Sequence, residues 1–189
     1  MRVTEEDALI VVDVQNDFCP GGAMSIEGGD RIVRPINGLM RHFDTVVYTR
    51  DWHPYDHCSF SEPTVPGGKA WPPHCVEFTP GAEFHPQLHV QLEFPVFSKG
   101  EDPFEEEYSG FANPELSVYL RDRNVRRVFV VGLATDYCVK ATALDAMTVG
   151  FSAVVVRDAC RGVSEETSEA ALKELAAKGV EICTVGELA

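Results

Sequence analysis

Basic residues are scarce in this 189-residue chain: 16 Lys and Arg stand against 30 Asp and Glu, a formal net charge of -14 at pH 7. A surface of that sign repels phosphate backbones and anionic headgroups, which argues against nucleic acid and membranes as partners. Long apolar runs are missing as well, and none approaches the roughly 20 residues of a spanning helix. The opening stretch, "MRVTEEDALIVVDV", turns acidic before its apolar run and has no small-residue cleavage pattern. A cytoplasmic address is therefore expected. The 6 cysteines (Cys19, Cys58, Cys75, Cys138, Cys160 and Cys183) include no C-x-x-C pair. In a reducing compartment such scattered thiols are expected to stay free. No repeat, low-complexity tract or linker divides the chain, and its length suits one domain over 1–189.

What is present is an alternation of two patterns. Apolar runs of strand length recur at 8–14, 44–50, 94–100, 126–134, 151–159 and 181–188. Most lack strict polar alternation, as expected of parallel strands covered on both faces. Between them, 30–43, 114–123, 136–149 and 165–178 carry helical spacing; Val139, Ala143, Ala146 and Met147 share one face, and Ala171, Leu172, Leu175 and Ala176 another. This order predicts an α/β fold, an open and mostly parallel six-stranded sheet with helices on both faces. The interval 51–93 is too long for an ordinary connection, and loops of that length in compact domains are usually functional. Ligands bind such sheets beyond the carboxyl ends of the strands. That edge would receive Asp13, then Asp51 and His53, then Lys99, then "ATDYC".

Each of these residues has a chemical reading and a plainer one. Cys138 falls in a predicted first helical turn, with Thr135 or Asp136 as N-cap. Amides and dipole there favour a thiolate and lower the thiol pKa, whereas a buried free cysteine is often only a small hydrophobe. Asp13 can take the thiol proton and return it to a leaving amine, or simply cap a loop. Lys99 can hold charge beside them, or be a solvated strand end. Asp51 and His53, two apart in extended chain, point the same way, and His74 in "WPPHC" would complete an Asp/His/His set for a divalent transition metal. His57 is either a further ligand or a hydrogen-bonding support behind them. Phe18, Trp71 and Tyr108 can sandwich a flat ring or merely pack. His42, His85 and His89 lack such context, and "PGGK" at 66–69 reads as a turn rather than a phosphate loop.

Taken together, "VVDVQNDFCPGGAM", "YTRDWHPYDHCSF", "WPPHCVEFTPGAEFHP", "FSKG…EEYSGF" and "VVGLATDYCVKATALDAMTVGF" resemble, block by block and in order, the nicotinamidases of the isochorismatase-like cysteine hydrolase superfamily. The resemblance implies that Asp13, Lys99 and Cys138 form a catalytic triad. It implies that Asp51, His53 and His74 hold one divalent metal, zinc first, with manganese or iron as alternatives. It also implies a cis peptide at Leu133–Ala134, an oxyanion hole from the amides of Ala134 and Cys138, and a ring pocket lined by Phe18, Trp71 and Tyr108. The implied reaction is nicotinamide to nicotinate and ammonia, with pyrazinamide as a ring analogue and NAD salvage as the setting. Relatives associate, which leaves a homo-oligomer open. The stretch "EDPFEEE" after Lys99 fits no fixed pattern of the family. Competing readings are a hydrolase of N-carbamoyl or ureido amides or of isochorismate, and a non-catalytic metal-binding protein on the same scaffold. The second set of alternatives does not explain why both residue groups meet at one sheet edge.

Overall fold

The protein is described by a computed structural model covering residues 1–61 and 70–188. The "PGGK" turn expected at 66–69 lies outside the described residues. Six strands form the sheet: β1 (Asp7–Val12), β2 (Thr45–Asp51), β3 (Val96–Lys99), β4 (Arg127–Leu133), β5 (Ser152–Arg161) and β6 (Glu181–Cys183). Four α-helices accompany them: α1 (Val33–Leu39), α2 (Pro114–Asp122), α3 (Lys140–Thr148) and α4 (Glu165–Ala177). Every strand pair is parallel, in the order β3-β2-β1-β4-β5-β6. The chain thus builds outward from β1 on one side and then crosses to β4 on the other. The crevice between the ends of β1 and β4 is the switch point where open α/β sheets bind ligands.

Strand side chains alternate between two cores, as a pleated strand requires. Leu9 and Val11 of β1 pack with Ile36 and Leu39 of α1. Ala8, Ile10 and Val12 pack on the other face with Leu116 and Leu120 of α2, Ala143 and Ala146 of α3, and Leu172 and Leu175 of α4. Three helices on one face and one short helix on the other leave the α1 side undercovered. The long segment after β2 fills it, since Trp52, Cys75, Ala82 and Leu88 belong to the α1 core. Among its described residues that segment contains no named strand, only 3₁₀ turns at Cys58–Phe60 and Pro80–Ala82. Its apolar residues anchor it to the sheet while its polar residues reach the sheet edge.

Some boundaries differ from the sequence expectation. Strand pairing at 181–188 ends at Cys183, because Thr184 and Glu187 form a capping box whose Glu187 carboxylate accepts from the Thr184 amide at 2.7 Å and its hydroxyl at 2.8 Å. Only 33–39 of the expected 30–43 helix is α-helical, flanked by 3₁₀ turns. Pro35, Asn37 and Gly38 make it a weak helix former. Ala176, expected inward, is exposed, and α4 packs through Ala171, Leu172 and Leu175 alone. Gly132 has φ +120° in β4, where an added Cβ would run into the backbone of Val12. A residue other than glycine would push β4 off β1 at the site itself.

Asp7 and Arg127 are register partners that tie the two central strands together. Arg127 donates from Nε and a terminal nitrogen to both oxygens of Asp7, each at 2.8 Å. Burial alone would push the Asp7 carboxyl up, but Arg127 and Thr4 together hold it below its ordinary value of 3.8. A depressed folded pKa contributes stability above the unfolded value, and that stability disappears as pH falls through the folded one. Asp7→Asn is therefore expected to cost about 1–2 kcal/mol at pH 7. The gap between variant and parent, read from urea unfolding, should narrow as pH falls below 3.8. Among the described residues, no helix is long and apolar enough to cross a membrane.

Candidate active site

Asp13 follows β1 with φ 49°, a left-handed conformation uncommon outside glycine. The turn it makes directs the carboxylate under the ends of β1 and β2, where Thr49 Oγ1 donates to Oδ1 at 2.6 Å. Lys99 ends β3 in register with Asp51, which ends β2. Its Nζ lies 3.0 Å from Asp13 Oδ2, hydrogen-bonds Asp51 Oδ1 and the Glu107 carbonyl, and stands 3.5 Å from Cys138 Sγ. Asp13, Asp51, Lys99 and Cys138 are all buried. The fully buried Gln15 clamps the Asp51 peptide, donating to its carbonyl at 2.7 Å and accepting from its amide at 2.8 Å. Three strands thus deliver an acid, an ammonium and a second acid to one point.

Cys138 arrives from the fourth. Between β4 and α3 the chain makes a single π-helical turn, Thr135–Val139. The Leu133–Ala134 peptide before it is cis, as the family resemblance implied. The Ala134 carbonyl is turned into the helix, accepting from the amides of Tyr137 and Val139, both at 3.1 Å. Neither Thr135 nor Asp136 caps this turn. Instead the Asp136 carboxylate accepts from the Val163 amide at 3.1 Å and Thr167 Oγ1 at 2.5 Å, fastening the turn to α4.

The expectation of a thiol acidified by its helix is corrected here. Burial pushes the Cys138 thiol well above its ordinary value; Lys99 pulls it down, but Asp13 and Asp51 push it up again. A partial helix dipole cannot offset burial between two carboxylates. Burial likewise raises Asp13, with Lys99 opposing. Lys99 itself would be lowered by burial, yet the charges of Asp13 and Asp51 hold it well above normal. The resting site therefore contains an ammonium, a thiol and a carboxylate of enhanced basicity.

Asp51 serves two neighbourhoods. Oδ1 faces Lys99; Oδ2 lies 3.6 Å from His53 Nε2 and 3.9 Å from His74 Nε2. His53 Nδ1 donates to the Gly100 carbonyl at 2.9 Å, and His74 Nδ1 to the Pro72 carbonyl at 2.8 Å. In the neutral imidazoles those bonds use the only ring N–H, so two Nε2 lone pairs and a carboxylate oxygen converge with no proton among them. Ligand atoms of Asp51, His53 and His74 lie within 4.8 Å of one another, an arrangement that fits a divalent cation. Gly100 stays tight against His53 because an added Cβ would strike the imidazole. Asp13, Asp51 and Cys138 are equally close, but Lys99 already provides the positive charge there. His57 is not among the converging atoms. Its ring stacks on His53 at 4.2 Å, with Nε2 donating to the Glu105 carbonyl at 3.0 Å and Nδ1 meeting Ser59 Oγ at 2.7 Å.

A pocket joins the two neighbourhoods, and its wall includes Cys138, Ala134, Asp51 and His74. Phe18, Trp71 and Tyr108 all line it. Trp71 Nε1 donates to the Tyr108 hydroxyl at 3.1 Å, which fixes both rings. Sequence reading missed Tyr137, whose ring meets Trp71 edge-on at 5.3 Å, and Glu106, also on the wall. Tyr137 was discoverable as the neighbour of Cys138; nothing in the acidic run around Glu106 distinguishes it from a solvated face. A neighbouring cleft beside α4 contains Arg157 paired with Glu169 and none of these groups except the shared Thr135 turn.

Comparison with known proteins agrees with this fold. The Isochorismatase domain model matches residues 7–187. The nicotinamidase of Escherichia coli K12 is 39% identical over 203 residues, spanning 95% of each chain. The crystal structure of Pyrococcus horikoshii pyrazinamidase in complex with zinc is 45% identical, with TM-score 0.87 over 95% of this chain and 99% of the other. The structure of PnC1 from L. infantum in complex with nicotinate is 37% identical, with TM-score 0.92 over 100% of this chain and 98% of the other. The match over nearly the whole length, on a fold whose strand ends gather a thiol, an acid, a lysine and a cation-ready Asp/His/His set, means that the chain belongs to the isochorismatase domain family.

Proposed function

We propose that residues 1–189 act as a single amidohydrolase unit that converts nicotinamide to nicotinate and ammonia and accepts pyrazinamide as a ring analogue. The observation that carries this reading is one aromatic-walled pocket lined both by the Cys138 thiol and by Asp51 and His74 of the cation-ready Asp/His/His set. An aromatic amide bearing a ring nitrogen can meet the thiol through its carboxamide and the cation set through its ring. The names of the relatives, nicotinamidase in E. coli and pyrazinamidase bound to zinc in P. horikoshii, point the same way.

With the ring between Phe18, Trp71 and Tyr108, the carboxamide lies against Cys138. Asp13 takes the thiol proton as sulfur attacks the carbonyl carbon, and the amides of Ala134 and Cys138 receive the negative oxygen. Asp13 passes that proton to the amine as the C–N bond breaks and ammonia departs. A water molecule then gives a proton to Asp13 and attacks the thioester; the C–S bond breaks, and the thiol regains its proton. Lys99 remains charged throughout and offsets the negative charge on Asp13, sulfur and oxygen. Asp51, His53 and His74 would hold a divalent ion, zinc first, which as a Lewis acid offers the ring nitrogen an anchor directly or through water. Fixing the ring at a second point aligns the carboxamide with sulfur, and orientation of this kind lowers barriers by several kcal/mol.

Ammonia release from nicotinamide should be readily measured with metal-loaded protein and fall by about 100-fold or more after chelation. Equal turnover in both preparations would remove the cation from the reading. Ammonia from an N-carbamoyl amine but not from nicotinamide would replace the substrate class.

A further inference from the structure

The acidic stretch after Lys99 has three consecutive glutamates, Glu105, Glu106 and Glu107, and the site uses two of them plainly. The Glu105 carbonyl accepts from His57, and the Glu107 carboxylate accepts from the Gly100 amide at 2.7 Å. Glu106 differs. Its carboxylate oxygen Oε2 is closed off from solvent and has no hydrogen-bond partner among the described residues. Its side chain lines the same pocket as Asp51 and His74. A buried acceptor without a donor costs about 1–3 kcal/mol, so such an atom in a site signals an occupant that supplies the donor.

We propose that Glu106 is a positioning residue of the cation site, accepting a hydrogen bond from water carried by an ion held on Asp51, His53 and His74. This rests on the cation reading above. The trio of mutually close ligand atoms leaves Glu106 outside it, which places Glu106 around the ion rather than on it. Three protein ligands leave positions for water, and bound water supplies the N–H-free, strongly polarised O–H that an ionised acceptor seeks. The substrate carboxamide, the other donor in the pocket, is directed to Cys138 in the reaction proposed above. Ser59, which His57 Nδ1 meets, also interacts with the Glu106 side chain, so the support behind His53 reaches this carboxylate too.

The test is chelator-competition titration of zinc and manganese ions into the full chain, with no substrate present. Glu106→Gln, which keeps the shape and a neutral acceptor, should weaken both ions about tenfold, and Glu106→Leu by up to about 100-fold. The metal-free variants should unfold at the parent's temperature or above, because a buried carboxylate with one unpartnered oxygen has been removed. A merely structural side chain would instead lower the metal-free melting temperature and leave ion affinity alone. Affinities within about threefold of the parent in either folded variant overturn the proposal. His53→Ala serves as the control: if it also binds both ions normally, the cation site itself is wrong, whereas if it alone loses them, only the role of Glu106 fails.

Discussion

Cys138→Ala is expected to reduce ammonia release from nicotinamide by about 10⁴-fold or more, down to background, with the fold intact. The side chain is small and sits at a turn held by Ala134, Asp136 and α4, so losing one sulfur atom there costs little stability. Catalysis loses the thiol that lies within 4.8 Å of an Asp13 carboxylate oxygen. Melting curves of variant and parent should agree within a few degrees. Retained turnover would refute the assignment. The raised pKa adds a second readout. The rate of Cys138 alkylation, followed by peptide mass against pH in chelated enzyme, should still be rising at pH 9, since the thiol titrates well above 9.0. A plateau near neutrality would mean that the helix dipole and Lys99 dominate after all. Because the free site holds a thiol, deprotonation belongs to the reaction step, and Asp13 has to be basic enough to perform it.

The strand–helix alternation was legible because a two-sided parallel sheet demands unbroken apolar runs, and "ALIVVDV" and "RRVFVVGLA" supply them. The strand-end rule then located Asp13, Asp51, Lys99 and Cys138 without any knowledge of side-chain geometry. Thr184 and Glu187 were readable as a capping box, and the apolar character of 181–188 concealed it. Other features depend on tertiary placement. The sign of the Cys138 shift is set by two carboxylates brought from distant strands, which no local pattern displays. The division of Asp51 between Lys99 and the two histidines requires the register of β2 with β3. His57 shares its sequence block with His53, yet a 3₁₀ turn at Cys58–Phe60 turns it behind that ring.

Lys99→Met, which keeps the apolar stem and deletes the charge, is expected to destabilise the fold by about 3–5 kcal/mol and lower turnover at least 100-fold. The ammonium is 1% exposed and lies between the carboxylates of Asp13 and Asp51, whose own ligand-type oxygens are within 4.8 Å of each other. Without it, two like charges share a site that water does not reach. Each carboxylate's folded pKa must then rise above its unfolded value. Groups raised in this way give full stability below the unfolded pKa and lose it as pH climbs through the folded one. The deficit of the variant relative to the parent should accordingly be largest at pH 7 and above and shrink towards pH 4. Urea unfolding at several pH values shows this, using chelated protein so that no cation replaces the missing charge. Combining Lys99→Met with Asp13→Asn removes the repulsion as well, and should restore part of the stability while leaving the enzyme inactive. A deficit independent of pH, or activity within tenfold of the parent, would mean that Lys99 is a packing residue. The linked pattern, with stability recovered by acid or by deleting a second charge while turnover is not, is what an ammonium placed to offset developing negative charge requires.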